Sequence, residues 1–145
     1  MVVRPLTVEY AAEVAAGARA PDFARPEYVR DLIAAGPAFA CLDGGRVFAI
    51  LGVADHGGGR GHAWAYIADG ARREAVAVSL TRAARRWLDG APFRRIEAVS
   101  ADGDEAYHTA CARWAIRLGF MFEGPALSWL ADGGDVLRWY RLRRA

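Results

Sequence analysis

The chain has 145 residues, a formal net charge of +2, and a composition that is 54% hydrophobic and 25% charged. At this length one core can bury roughly two thirds of the unfolded surface, so residues 1–145 are read as one domain, and the composition excludes a disordered chain. The charge excess is too small for the focused basic face of a typical nucleic-acid binder. All 19 basic residues are arginine and alanine occurs 31 times, with no Lys, Asn or Gln. Such a skew reflects GC-rich coding rather than chemistry.

The opening segment, Met1-Val2-Val3-Arg4-Pro5, meets charge and proline before an apolar run can form, and so does not read as a signal peptide. No stretch approaches the ~20 apolar residues needed to span a bilayer, so a cytoplasmic protein is expected. Cys41 and Cys111 lack the paired spacing of zinc or redox sites and read as small buried hydrophobes.

A strand over residues 2–6 leads into a helix that Thr7 caps and that runs to Gly17, with Glu9 favourably placed in its first turn. Pro26 opens a second helix reaching about Ala35, stopped by Gly36-Pro37. Residues 38–42 and 46–54 are apolar runs around Asp43-Gly44-Gly45, a hairpin signal. Glycines make residues 55–61 a loop, after which residues 62–67 alternate with strand period.

Residues 72–88 place Val76, Leu80, Ala84, Trp87 and Leu88 at helical spacing, with Arg73, Arg82, Arg85, Arg86 and Asp89 opposite. Gly90 and Pro92 end that helix, and residues 94–99 form a strand parallel to the one before it. A last helix spans residues 104–118, with Tyr107, Cys111, Trp114 and Leu118 along one stripe and Gly119 as its cap. Residues 120–130 and 135–142 read as two strands around Asp132-Gly133-Gly134.

The order β-α-α-β-β-β-α-β-α-β-β resembles the GCN5-related N-acetyltransferase (GNAT) superfamily along the whole chain. That family's acyl-CoA motif, R/Q-x-x-G-x-G/A, matches the junction Arg72-Arg73-Glu74-Ala75-Val76-Ala77, although Ala75 stands where glycine is usual. The physical need there is for free N–H groups at a helix N-terminus, which suit a pyrophosphate. A second match is Trp114-Ala115-Ile116-Arg117-Leu118-Gly119-Phe120 followed by Met121-Phe122-Glu123-Gly124, similar to the family's Leu-Gly-Phe junction. Many relatives place a tyrosine acid where this chain has Ala115. Shortened GNAT-like proteins of tailed bacteriophages also look similar, sharing abundant tryptophan, a Gly52-Val53 strand and a degenerate phosphate motif.

The resemblance implies a mixed, mostly antiparallel α/β sheet flanked by helices, and acetyl-CoA as co-substrate without a metal. It implies transfer of the acyl group to a small-molecule or protein amine. The donor phosphates are expected on the amides of about Arg73 to Ala77, and the thioester along Tyr66 and Ile67. Its alternative implication is a catalytically silent binding or virion-assembly protein, located in the virion.

Amide formation from a thioester needs a deprotonated amine, a polarised carbonyl and a proton for the thiolate. Glu97 is the candidate base, or else a strand carboxylate paired with Arg94 or Arg95. Tyr66 is the candidate proton donor, or else a core tyrosine with a hydrogen-bonded hydroxyl. His108 is a third candidate, a residue type able to act at neutral pH, or else a solvated first-turn histidine. His56-Gly57-Gly58-Gly59 without a Gly-x-Ser-x-Gly elbow makes no hydrolase, and His56 with His62 lacks a third metal ligand. Arg138, Arg141, Arg143 and Arg144, with Arg82, Arg85 and Arg86, suit an acidic partner or the coenzyme A phosphates, or simply a solvated surface. Five tryptophans are many for so small a core, which favours an oligomer or a partner surface.

Overall fold

The computed structural model describes residues 1–16, 21–68, 74–101, 105–128 and 132–143. In chain order the elements are β1 (Val2–Pro5), α1 (Val8–Ala15), a 3-10 turn (Pro21–Ala24), α2 (Pro26–Ala35), β2 (Ala38–Asp43), β3 (Arg46–Asp55) and β4 (Arg60–Ile67). There follow α3 (Glu74–Gly90), β5 (Arg95–Ala101), α4 (Glu105–Arg117), β6 (Met121–Ala126) and β7 (Val136–Leu142).

The local signals act as expected. Tyr10 N–H donates to Thr7 Oγ1 at 3.3 Å, satisfying one orphan donor of α1, and Pro26 takes the first turn of α2. Gly44 and Gly45, at φ +56° and +80°, make the two-residue turn between Asp43 and Arg46 that only a left-handed backbone closes. Several boundaries move: α1 ends at Ala15, β5 runs on to Ala101, and two others bear on the site. β4 begins at Arg60, because His56 N–H donates to Arg60 O at 2.9 Å, leaving only residues 56–59 as loop. β6 ends at Ala126 and is shorter than the apolar run suggested, while residues 129–131, including Trp129, lie outside the described residues.

The strands form one sheet in the order β1-β2-β3-β4-β5-β7-β6, and every neighbouring pair is antiparallel except β4 with β5. This is the mixed, mostly antiparallel architecture expected. On one face α1 and α2 cover a core of Leu6, Ala11, Val14, Val29, Ala40, Val47 and Ile50. The other face, under α3 and α4, buries Phe39, Leu51, Val53, Leu80, Leu88, Phe93, Ile96, Leu118, Phe120 and Trp139. β3 is apolar on both faces because helices lie above and below it, which is why its sequence shows an unbroken run instead of alternation. Cys41 is fully buried, which pushes its thiol pKa up to about 11, whereas Cys111 is only half-buried.

Two glycines fix where β4 lies. A side chain on Gly52 would meet the Trp64 ring at 2.5 Å, and one on Gly61 would meet Val53 Cγ1 at 2.3 Å. Both admit close approach of neighbouring groups along the strand that leads to the site.

Candidate functional site

β4 and β5 pair in parallel through Arg60↔Arg95, Gly61↔Ile96 and His62↔Glu97, and there the pairing stops. β4 nevertheless runs to Ile67 and β5 to Ala101, each still paired on its far edge, to β3 through Ala49↔Ile67 and to β7 through Ala101↔Val136. The facing edges at residues 63–67 and 98–101 therefore diverge without a strand partner. Backbone N–H and C=O groups aimed into such a gap need water or a ligand, and an extended chain carrying amides is the shape they complement.

The connection from β4 to β5 passes through α3, which begins at Glu74 after β4 ends at Ile67. Ala75 is exposed in the first turn, with Val76 and Ala77 half-buried behind it. Free N–H groups at this end favour an anion. Arg72 and Arg73, the first half of the expected phosphate motif, lie outside the described residues, as does the side chain of Glu74.

A hydrogen-bond relay locks this helix to its neighbour. Trp114 Nε1–H donates to Thr81 Oγ1 at 3.1 Å, and the Thr81 hydroxyl donates to Ala77 O at 2.7 Å. α4 is thereby tied to the N-terminal turns of α3. Sequence reasoning assigned Trp114 to an apolar stripe and gave Thr81 no role. The available signal was a hydroxyl at the edge of an otherwise apolar helical face. Ala115, beside Trp114, is half-buried against the core and brings no acidic hydrogen.

Strand alternation sets the side chains along β4. His62, Trp64 and Tyr66 point to the α1–α2 face, where Trp64 and Tyr66 pack on its core with Tyr28. Ile67 points to the α3–α4 face. The Tyr66 phenol is pushed above its usual pKa by burial first, then by Tyr28 and Asp22, so it stays protonated at neutral pH. His62 lies beside the His56 ring, with centroids 6.0 Å apart, and burial followed by His56 lowers its pKa.

Glu97 sits at the closed end, in the last β4–β5 pair. Arg95 Nε donates to it at 2.8 Å and Arg60 at 3.3 Å. The hydrogen bond from Arg95 is the main reason its pKa falls below the usual carboxylate range. Arg95 also donates to Glu123 at 2.7 Å, Arg138 donates to Glu123 at 2.8 Å, and the Arg95 guanidinium lies 4.6 Å from the Tyr140 ring centre. Of the two arginines expected beside Glu97, Arg95 fills that place, while Arg94 donates to Gly58 O at 2.7 Å. His108 falls in the first turn of α4, and its side chain is outside the described ones. Of the three proposed proton-transfer groups, Tyr66 and Glu97 thus lie on the same sheet face at opposite ends of the cleft.

Among the described residues no three His, Cys, Asp or Glu converge as metal ligands, and no helix is long and apolar enough to cross a membrane. No family model matches the sequence, and no curated protein is significantly similar to it. Solved structures are similar over nearly the full length. A GNAT-family acetyltransferase from Streptococcus pneumoniae aligns with a TM-score of 0.72 at 14% identity, covering 99% of both chains. The fold is that of the GNAT acetyltransferases. An IAA acetyltransferase from Bacillus cereus shares the GNAT fold with a TM-score of 0.71 at 12% identity, covering 97% of this chain and 98% of its own. A point variant of the spermidine N-acetyltransferase of Vibrio cholerae aligns with a TM-score of 0.69 at 14% identity, covering 98% and 95%.

Proposed function

We propose that this chain, as one domain over residues 1–145, transfers an acyl group, in the first instance acetyl, from acyl-CoA to an amine. The observation that carries the reading is the unpaired gap between β4 and β5, with α3 as the next element in the chain after β4. Acetyl-CoA supplies a polyanion at one end and an extended, amide-bearing arm that ends in a thioester. The phosphates go to the N–H groups of about Arg73 to Ala77, reached from Arg72 through Glu74, Ala75 and Val76. The thioester lies along Tyr66 and Ile67.

In the transfer the amine nitrogen attacks the thioester carbonyl, a C–N bond forms, the C–S bond breaks, and the thiolate takes up a proton. Tyr66 is assigned that proton, since its environment keeps the phenol neutral. Glu97 and His108, the latter in the first turn of α4, are the candidates for the amine's own proton. Glu97 is the weaker candidate base, because Arg95 and Arg60 hold it ionised and engaged. Loss of catalysis would rest on Ala75 and Ala115, and neither removes the cleft or the helix terminus.

Calorimetry with acetyl-CoA tests donor binding, and a mass-spectrometric screen of amines incubated with acetyl-CoA tests transfer. Saturable binding and an acetylated product are expected. A well-folded sample giving no heat at millimolar acetyl-CoA would overturn the reading.

A further inference from the structure

We infer that Gly52 is a positioning residue for the cleft: the absent side chain at Gly52 seats the Trp64 indole over β3, and the gap between β4 and β5 stays open because the ring is held there. This deepens the acyl-transfer reading above and rests on it for the identity of the occupant.

Trp64 is the largest side chain on the unpaired stretch of either strand. Residues 63–67 of β4 read Ala-Trp-Ala-Tyr-Ile, and residues 98–101 of β5 read Ala-Val-Ser-Ala. β4 is the middle strand of seven, yet its residues from His62 to Ile67 are only half-buried. The room beside the gap is therefore governed by where one indole goes.

The opposite neighbour decides that. Gly52 is the β3 partner of Trp64, on the side of β4 away from β5. A Cβ built at Gly52 would stand 2.5 Å from Trp64 Cζ2, 2.6 Å from Cε2 and 2.9 Å from Nε1, so the ring lies on the glycine itself. Real Cβ atoms do not approach a neighbour within 3.0 Å, and any other residue at position 52 therefore displaces the indole. Along β4 the ring is hemmed by His62 and Tyr66, which share its face two residues before and after. Above, it meets the α1–α2 core on which it packs. Toward β5 pairing has ended at His62↔Glu97, so among the described residues the gap is the side left for a displaced ring. A staggered rotamer change of the indole is enough to carry it there.

The test titrates acetyl-CoA calorimetrically into the full native chain, Gly52→Ala, Trp64→Leu and the double variant, each at a temperature where circular dichroism shows it folded. In the native background Gly52→Ala is expected to weaken acetyl-CoA at least about tenfold, and in the Trp64→Leu background less than about twofold, because the ring to be displaced is gone. A purely structural glycine would lower the melting temperature of Gly52→Ala without moving the Kd of its folded form. That result, or an equal loss of affinity in both backgrounds, overturns the inference while the donor reading stands. If Gly52→Ala does not fold, fluorotryptophan-labelled native chain gives the second readout. The fluorine resonance of Trp64, assigned by its loss in Trp64→Leu, is expected to shift on saturation with acetyl-CoA, and an unmoved resonance overturns the inference. Absence of acetyl-CoA binding by the native chain sinks the donor reading and the inference together.

Discussion

The two halves of the sheet are finished differently. β2 and β3 lie between helices on both faces, and β3 buries most of its side chains, with β1 an exposed edge beside them. β5, β7 and β6 are covered by α4 on one face only, and the other carries the chain of ions from Arg60 through Glu97, Arg95 and Glu123 to Arg138. Both halves are held by burial of apolar area, the second on one face only, through Ile96 and Trp139, while the ion pairs on its other face are partly exposed and contribute little each. The cleft opens along the seam between them, where a rigid edge meets one that does not follow it.

This contrast is broken most severely in the enclosed half. Ile50 is fully buried under α1 and α2, so Ile50→Ala should cost about 2–5 kcal/mol in chemical denaturation. A loss within the range of a surface substitution would show that this half is not the stability reserve. At the helices beside the seam, Thr81→Val keeps the shape but leaves Trp114 Nε1 without its acceptor. A loss of about 1–3 kcal/mol is expected, together with weaker acetyl-CoA binding, because α4 no longer braces the first turns of α3. Unchanged stability and binding in this variant would remove the relay from the account.

The open half should give the smallest effect. Glu97 has its pKa lowered in the folded chain, chiefly by Arg95, so its stabilisation is complete above the ordinary glutamate range near ~4.3. It is lost as pH falls through the lower folded value. Because both partners are partly exposed, Glu97→Gln should cost under about 1 kcal/mol at pH 7 and slightly flatten the fall in stability below pH ~4.3. A larger cost would mean that the ion chain, rather than burial, holds this half.

Much of the fold was legible because it is written locally. Thr7, Pro26, Gly36 and the Asp43-Gly44-Gly45 turn act within a few residues of themselves, and periodicity separated α3 from its flanking strands. Gly61 misled for a tertiary reason: glycine reads as loop, yet here it is the strand residue that lets Val53 and Phe93 close in. The site was legible only in outline. Its place at the end of β4 follows from element order, whereas the point where β4 and β5 part and the Thr81–Trp114 relay depend on contacts between distant segments. Glu97 illustrates the limit: sequence supplied Arg94 and Arg95 as alternatives, and only the register of β5 against β4 and β7 chose Arg95 and added Arg60 and Glu123.

The central claim is that the donor occupies the gap between β4 and β5. Hydrogen exchange followed by mass spectrometry, on the free chain and with saturating acetyl-CoA, measures this directly. Slower exchange is expected at residues 63–67 of β4 and in the first turn of α3 from Glu74 to Ala77, with β1 and β2 unchanged. Binding without slower exchange at those residues, or slowing confined to β6 and β7, would contradict it.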